Sequence, residues 1–226
     1  MDTEPGPLVG RGRAADVYVY GDGLVLRRYR TPHDCLYEAA VMQHVHAQGY
    51  PCPAVVEVAG GDIVMERLDG PTMLASLSSK PWRVGSYARK LAVLHRRLEQ
   101  VLAPDWMPAP FGEGDRVVHL DLHPDNVMLT SRGPVVIDWT NAKRGPVGAE
   151  TAHTWVLLAS AQPPTGWQRV LVTLLRKLFL RAFLRGLDTD AAQPFIVPMA
   201  EHRLRDRNMR PPELRAFERI VATGRV

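Results

Sequence analysis

One stretch concentrates residue types that do chemistry: His119, Asp121, His123, Asn126 and, a little later, Asp138. Val127 to Thr130 and Pro134 to Ile137 are apolar runs on either side of Ser131-Arg132-Gly133. That is a three-residue connection with glycine last, common in hairpins. Folded about Arg132, the hairpin sets Asn126 and Asp138 equally far from the turn. They are expected to be cross-strand partners at its open end, roughly 5 Å apart at the backbone. An amide oxygen beside a carboxylate is a pair of hard donors. It suits Mg²⁺, which takes a few protein oxygens and completes its shell with phosphate and water. Asp121, on the loop entering the same end, is placed to accept a proton from a substrate hydroxyl.

The elements that must position these groups divide the chain. The first third reads as strand-rich. Asp16 to Tyr20 and Leu24 to Tyr29 flank the turn Gly21-Asp22-Gly23. A helix follows, with Thr31 as N-cap, Pro32 at its first position and Asp34 completing a capping box. Its apolar positions are Leu36, Ala40, Met42 and Val45, and Gly49 with Pro51 ends it. Val55 to Val58 and Asp62 to Glu66 are a second strand pair. Asp69-Gly70-Pro71 is a turn at a change of character. Beyond it, residues 81–102 carry Tyr87, Leu91, Leu94, Leu98 and Leu102 at helical spacing. Thr151 to Ser160, Trp167 to Arg185 and Pro212 to Ala222 also read as helices. Two domains are expected: residues 1–67, β-rich with one helix, and residues 68–226, mostly helical and holding the hairpin.

The order H-x-D-x-x-x-x-N, then a strand-ending Asp twelve residues on, resembles the catalytic and metal-binding loops of the protein-kinase-like fold. The wording here, HLDLHPDN then IDW, is similar to the aminoglycoside phosphotransferase and choline kinase branch. The resemblance covers roughly residues 8 to 160. It implies an α+β fold of two lobes, a small β-rich one and a mostly helical one. It implies Mg²⁺-dependent transfer of the γ-phosphate of ATP to a hydroxyl of a small-molecule acceptor. Asp121 would be the base, with His119 and Asn126 in the catalytic set, Asn126 and Asp138 on Mg²⁺, and His119 and His123 bracing the loop. Gly10 and Gly12, within a segment ending at Val17, resemble the glycine-containing nucleotide loop. Arg27, with Arg28 in reserve, stands where the family has a strand lysine, and Glu38 resembles its helix partner. Val64-Met65-Glu66-Arg67-Leu68 resembles the hinge that would hold adenine by its backbone, with Glu66 and Leu68 as its contacts. Glu150 stands where a later Asp is usual.

The residues leave other readings open. His119, Asp121 and His123 alternate, so an extended segment would put them on one face, as in a metallohydrolase. That reading gives no role to Pro124 or to the Asn126–Asp138 pair. Arg27 in place of lysine is compatible with a nucleotide-binding pseudokinase that acts through protein contacts. Trp167 to Arg185 is basic and amphipathic. It could lie on a membrane, but packing of Leu171, Leu174, Leu178 and Phe183 into a core is expected instead. The C-terminal cations between Arg203 and Arg219 alternate with Glu201, Asp206, Glu213 and Glu218, as on a solvated face.

Composition narrows the classes further. The chain has 226 residues with 46% hydrophobic and 23% charged, which excludes disordered and collagen-like classes. Lys and Arg exceed Asp and Glu by only four, 28 against 24. That is too weak and scattered for a nucleic-acid partner, and it disfavours a polycationic acceptor such as an aminoglycoside. Cys35 and Cys52 form no disulfide framework, so a reducing, cytoplasmic setting is expected. Met1 to Pro7 does not read as a signal peptide, and no apolar run is long enough for a membrane span. Oligomeric state is not legible.

Overall fold

The computed structural model describes residues 4–12, 14–31, 34–161, 166, 168–205 and 211–226. Pro32, Trp167 and Asp206, and residues 1–3 and Arg13 of the segments read above, lie outside them. In chain order the elements begin with β1 (Leu8–Arg11), β2 (Ala15–Val19), β3 (Leu24–Tyr29), α1 (Leu36–Ala47), β4 (Val55–Ala59) and β5 (Asp62–Glu66). Then come α2 (Met73–Ser79), α3 (Val84–Leu98), β6 (Arg116–Val118), β7 (Val127–Thr130), β8 (Gly133–Val136) and β9 (Lys143–Gly145). The chain ends with α4 (Val147–Ser160), α5 (Gln168–Leu184), α6 (Thr189–Ala192), α7 (Ile196–Leu204) and α8 (Pro211–Thr223). Two compact units result: Met1–Pro71 with Met128–Thr140, and Thr72–Val127 with Asn141–Val226.

The first unit is a five-stranded antiparallel sheet, in the order β1-β2-β3-β5-β4, with α1 packed on it. Strand periodicity sorts the adjacent arginines of β3. Arg27 shares a face with Val25 and Tyr29, while Arg28 turns the other way to Asp62, Nη2 to Oδ2 2.6 Å. Helix α1 starts later than the capping pattern suggests. Its N-cap is Cys35, not Thr31, and the Asp34 carboxylate accepts from the Leu36 N–H at 2.9 Å. Leu36 is exposed, and the buried face is Glu38, Ala39, Val41, Met42 and Val45. A glutamate therefore stands inside the apolar contact between helix and sheet.

Met128–Thr140, expected within the helical part, belongs to the first unit. Backbone bonds account for this: Leu129 N to Pro71 O at 2.9 Å and Val136 N to Pro51 O at 2.8 Å. Gly70 has φ +89, and a Cβ there would lie 2.2 Å from the Leu129 carbonyl oxygen, so only glycine permits this approach. The turn between β7 and β8 holds Ser131 and Arg132 alone, since Gly133 already lies in β8. Asn126 closes a 3₁₀ turn, Pro124–Asn126, and Asp138 lies two residues beyond β8. Both stand outside the strands, so the expected ladder pairing is not what positions them.

The second unit is built around α3 and α4. Tyr87, Leu91, Leu94 and Leu98 repeat on the buried side of α3, and each fully buried side chain stabilises the fold by about 1.5–3 kcal/mol. Leu102, read as part of the same helix, is exposed and bridges to Arg116. A second cluster joins Val118, Leu120 and Val156 to Ile196, Met199 and Phe217. Helix α5 corrects an expectation: Leu171, Leu174 and Leu178 are exposed. Its anchors are Phe179 and Phe183, the latter edge-on to His95 with ring centroids 4.9 Å apart. Only one side of a helix can face its neighbours, and those aromatics take it. Among the described residues no helix is long and apolar enough to cross a membrane.

Candidate active site

In the first unit, β3 and α1 bring Arg27 and Glu38 together: Arg27 Nη1 donates to Glu38 Oε1 at 2.5 Å. Arg27 Nη2 donates to Asp138 Oδ1 at 3.1 Å. One guanidinium thus serves two carboxylates. Burial disfavours its charge, but Glu38 and Asp138 more than offset this and hold it above its ordinary range. Two residues that the sequence reading did not single out complete the cluster. The Tyr29 hydroxyl donates to Glu38 Oε2 at 2.7 Å, and Thr140 Oγ1 donates to Asp138 Oδ1 at 2.9 Å. Arg27 also lies over the Tyr29 ring, 5.1 Å from its centroid.

In the second unit, Asp121, His123 and Asn126 sit on the loop after β6. Asn126 Nδ2 donates to both the carbonyl (2.9 Å) and the carboxylate Oδ2 (3.1 Å) of Asp121. Both partners are acceptors, which fixes the amide with its nitrogen towards Asp121. The His123 Nδ1 accepts from the Asp125 N–H at 3.2 Å, and its Nε2 lies 3.6 Å from Asp121 Oδ1. Burial pushes the Asp121 carboxyl up, but the adjacent His123 imidazole, with His153 and His119, outweighs it. Asp121 is held well below the usual carboxylate range.

Buried side chains brace this loop from behind. The Leu120 N–H donates to Glu150 Oε2 at 2.8 Å. The Thr154 hydroxyl donates to the Leu122 carbonyl at 2.9 Å, and His95 Nε2 lies 3.4 Å from the same oxygen. Burial pushes the His95 imidazole down to about 3, so it stays neutral and donates from Nε2. His119 is fully buried below the loop. Leu120 (φ +57) and Asp138 (φ +66) both adopt left-handed backbone. That costs roughly 1–2 kcal/mol each; Glu150 holds the backbone at Leu120, and Arg27 and Thr140 hold the Asp138 side chain. His95, Glu150 and Thr154 brace the loop; of the two residues expected to do so, His119 is buried and His123 accepts the Asp125 N–H. The helical spacings of the first three were visible in the sequence, but not which loop they would meet.

The residues expected to hold a nucleotide all lie in the first unit. Gly10 pairs with Val17 across β1 and β2. The Gly12 N–H is spent on Ala15 O (2.8 Å), and its carbonyl accepts from Arg30 Nη2 (2.7 Å). Among the described residues, both backbone groups of Gly12 are therefore committed within the hairpin region rather than free for a phosphate. Glu66 N–H bonds Ala54 O at 2.9 Å, and its carboxylate pairs with Arg132. Leu68 follows β5, and its backbone N–H and C=O make no hydrogen bond among the described residues. An unspent donor and acceptor at a strand end is what backbone recognition of a planar heterocycle needs.

The donor chemistry fits a hard divalent cation. With its nitrogen committed to Asp121, Asn126 has its amide oxygen unspent; Asp138 has Oδ2 unspent, both among the described residues. Such oxygens suit Mg²⁺. No group of three or more His, Cys, Asp or Glu among the described residues is arranged to hold a metal, so His119, Asp121 and His123 do not form the cluster a metallohydrolase needs.

Fold and residue order together define the α+β protein-kinase-like class. The structure superposes on a choline kinase from Cryptosporidium parvum Iowa II with a TM-score of 0.61 at 12% identity, over 96% of this chain and 87% of that one. It also superposes on the apo form of a thermostable aminoglycoside phosphotransferase APH(4)-Ia mutant, with a TM-score of 0.61 at 14% identity, over 96% and 90%. The model for the "Phosphotransferase enzyme family" matches residues 7–116 and 97–195, and the chain belongs to that family. A thiamine kinase from Salmonella paratyphi B is 36% identical over 83 residues, 37% of this chain. That match spans only 29% of the relative's length.

Proposed function

We propose that this protein is a small-molecule kinase, transferring the γ-phosphate of ATP to a hydroxyl of a small acceptor. The observation that carries this reading is the Asp121–Asn126 pair on a loop held rigid from behind. One amide group orients the carboxylate and keeps its own oxygen for a cation. Asp121 is the base. Held low, it stays ionised at neutral pH and serves chiefly to orient the acceptor hydroxyl, taking the proton late. Phosphoryl transfer through a loose transition state asks little more of a base. Arg27, kept in place by Glu38, neutralises phosphate charge. Asn126 and Asp138 supply oxygens to Mg²⁺, which when bound offsets charge on the phosphates. Leu68 holds the adenine through its backbone.

Membership of the phosphotransferase family supports this reading, and the thiamine kinase relative suggests where to look for the acceptor. A primary alcohol on a small heterocyclic or quaternary-ammonium metabolite is the first class to test. An ADP-formation screen over thiamine, choline, simple sugars and aminoglycosides identifies it. Asp121→Asn is expected to lower kcat by about 10³-fold while leaving nucleotide affinity within about two-fold. Unchanged kcat removes Asp121 from the role of base. Tight ATP binding with no turnover on any acceptor would instead mark a binding module.

A further inference from the structure

Thr140 lies two residues beyond Asp138 and touches each of Arg27, Tyr29 and Asp138, but not Glu38. Its Oγ1 is 2.9 Å from Asp138 Oδ1, 3.0 Å from the Tyr29 hydroxyl and 3.4 Å from Arg27 Nη2. Each hydroxyl carries one hydrogen. Tyr29 gives its own to Glu38 at 2.7 Å, and the Thr140 hydrogen goes to the charged Asp138 Oδ1 rather than to the neutral Tyr29 oxygen, the carboxylate being the stronger acceptor. Asp138 Oδ1 then has two donors, Thr140 and Arg27 Nη2, and Oδ2 has none among the described residues. The Asp138 side chain is 43% exposed, so Oδ2 is accessible.

A guanidinium and a carboxylate left to themselves tend to pair through two parallel hydrogen bonds, which occupy both carboxylate oxygens. Two contacts prevent that here. Glu38 occupies Arg27 Nη1, and Thr140 holds Oδ1 from another direction. Tyr29 in turn fixes Glu38 and packs against the Thr140 oxygen. We propose that Thr140, backed by Tyr29, is a positioning residue that turns Asp138 Oδ1 into the protein and presents Oδ2 as its single oxygen for a divalent cation. This rests on the reading of Asp138 as a cation ligand. Without the Thr140 hydroxyl only Glu38 stands against that pairing; Asp138 is free to turn further toward Arg27, and the cation must compete for its oxygens.

Manganese is the probe, its free concentration followed by electron paramagnetic resonance with a non-hydrolysable ATP analogue present. Thr140→Val is expected to weaken Mn²⁺ binding about ten-fold, the usual effect of losing a group that orients a metal ligand. Thr140→Ser should restore it to within about two-fold, and Tyr29→Phe, one contact further away, should weaken it about three-fold. In turnover, Thr140→Val raises the Mg²⁺ needed for half-activation while kcat at saturating Mg²⁺ changes by less than about two-fold. A folded Thr140→Val protein with wild-type Mn²⁺ affinity overturns the positioning role. Should that variant not fold, Tyr29→Phe decides in the same way. Asp138→Asn separates the two levels. If it binds Mn²⁺ as the wild type does, the ligand assignment falls and the positioning role with it. If it loses Mn²⁺ while Thr140→Val keeps it, only the positioning role falls.

Discussion

Glu150 gives the clearest case of one residue coupling fold and site. Its carboxylate is buried and accepts the Leu120 N–H, holding a left-handed residue next to Asp121. Burial pushes its pKa up to about 7, against an ordinary 4.5, with the backbone hydrogen bonds acting the other way. Between those values the folded state binds more protons than the unfolded chain. Stability from this group therefore falls as pH rises from 4.5, and the loss is complete above 7. His95 acts oppositely. Held neutral down to about 3, it adds stability as pH rises to its ordinary 6.5 and nothing beyond. Urea unfolding of wild type and Glu150→Gln should separate the two. The wild type is expected to lose about 2–3 kcal/mol relative to the variant between pH 5 and pH 8. A constant difference across that range would remove the buried-carboxylate account.

At the level of elements, position is set by periodicity and by close approach. Strand alternation decides that Arg27 reaches Glu38 while Arg28 meets Asp62 at the surface. A slip of one residue would exchange them. Helix α4, which carries Glu150 and Thr154, is located by Gly148. A Cβ at that position would lie 2.0 Å from the Ala191 carbonyl oxygen of α6 and 3.0 Å from the Phe195 ring. Gly148→Ala is expected to destabilise the protein by about 2 kcal/mol, lowering Tm by about 5 °C in a chain of this size. Thermal unfolding followed by circular dichroism measures it. An unchanged Tm would mean that α4 and α6 can separate at no cost.

For the whole molecule the testable quantity is linkage between ligand and fold. A ligand that binds only the native state stabilises it by about 2.7 kcal/mol at one hundred times its Kd. Mg²⁺ with ATP should raise Tm accordingly, and ATP with a chelator should do less. Asp138→Asn should remove the difference between the two conditions. Equal shifts with and without metal in the wild type would count against Mg²⁺ as part of the nucleotide complex. The excess of four positive charges is spread along the chain. Added salt should therefore weaken nucleotide binding only modestly, by screening exposed cations.

Sequence alone determined what depends on local order and short periods. The strands flanking Gly21-Asp22-Gly23, the buried stripe of α3 and the succession Asp121, Asn126, Asp138 were all legible, because alternation, helical spacing and turn chemistry act over a few residues. Tertiary structure decided what depends on distant chain segments meeting. The short helices α2, α6 and α7 were not read, and Leu171, Leu174 and Leu178 turned out exposed. Tyr29 and Thr140 gave no signal, since these hydroxyls, 111 positions apart, become informative only when the fold brings them within 3.0 Å of each other. The left-handed backbone at Leu120 and Asp138 was equally hidden. Leucine disfavours it and aspartate only tolerates it, so the hydrogen bonds of the folded protein decide that these two positions adopt it.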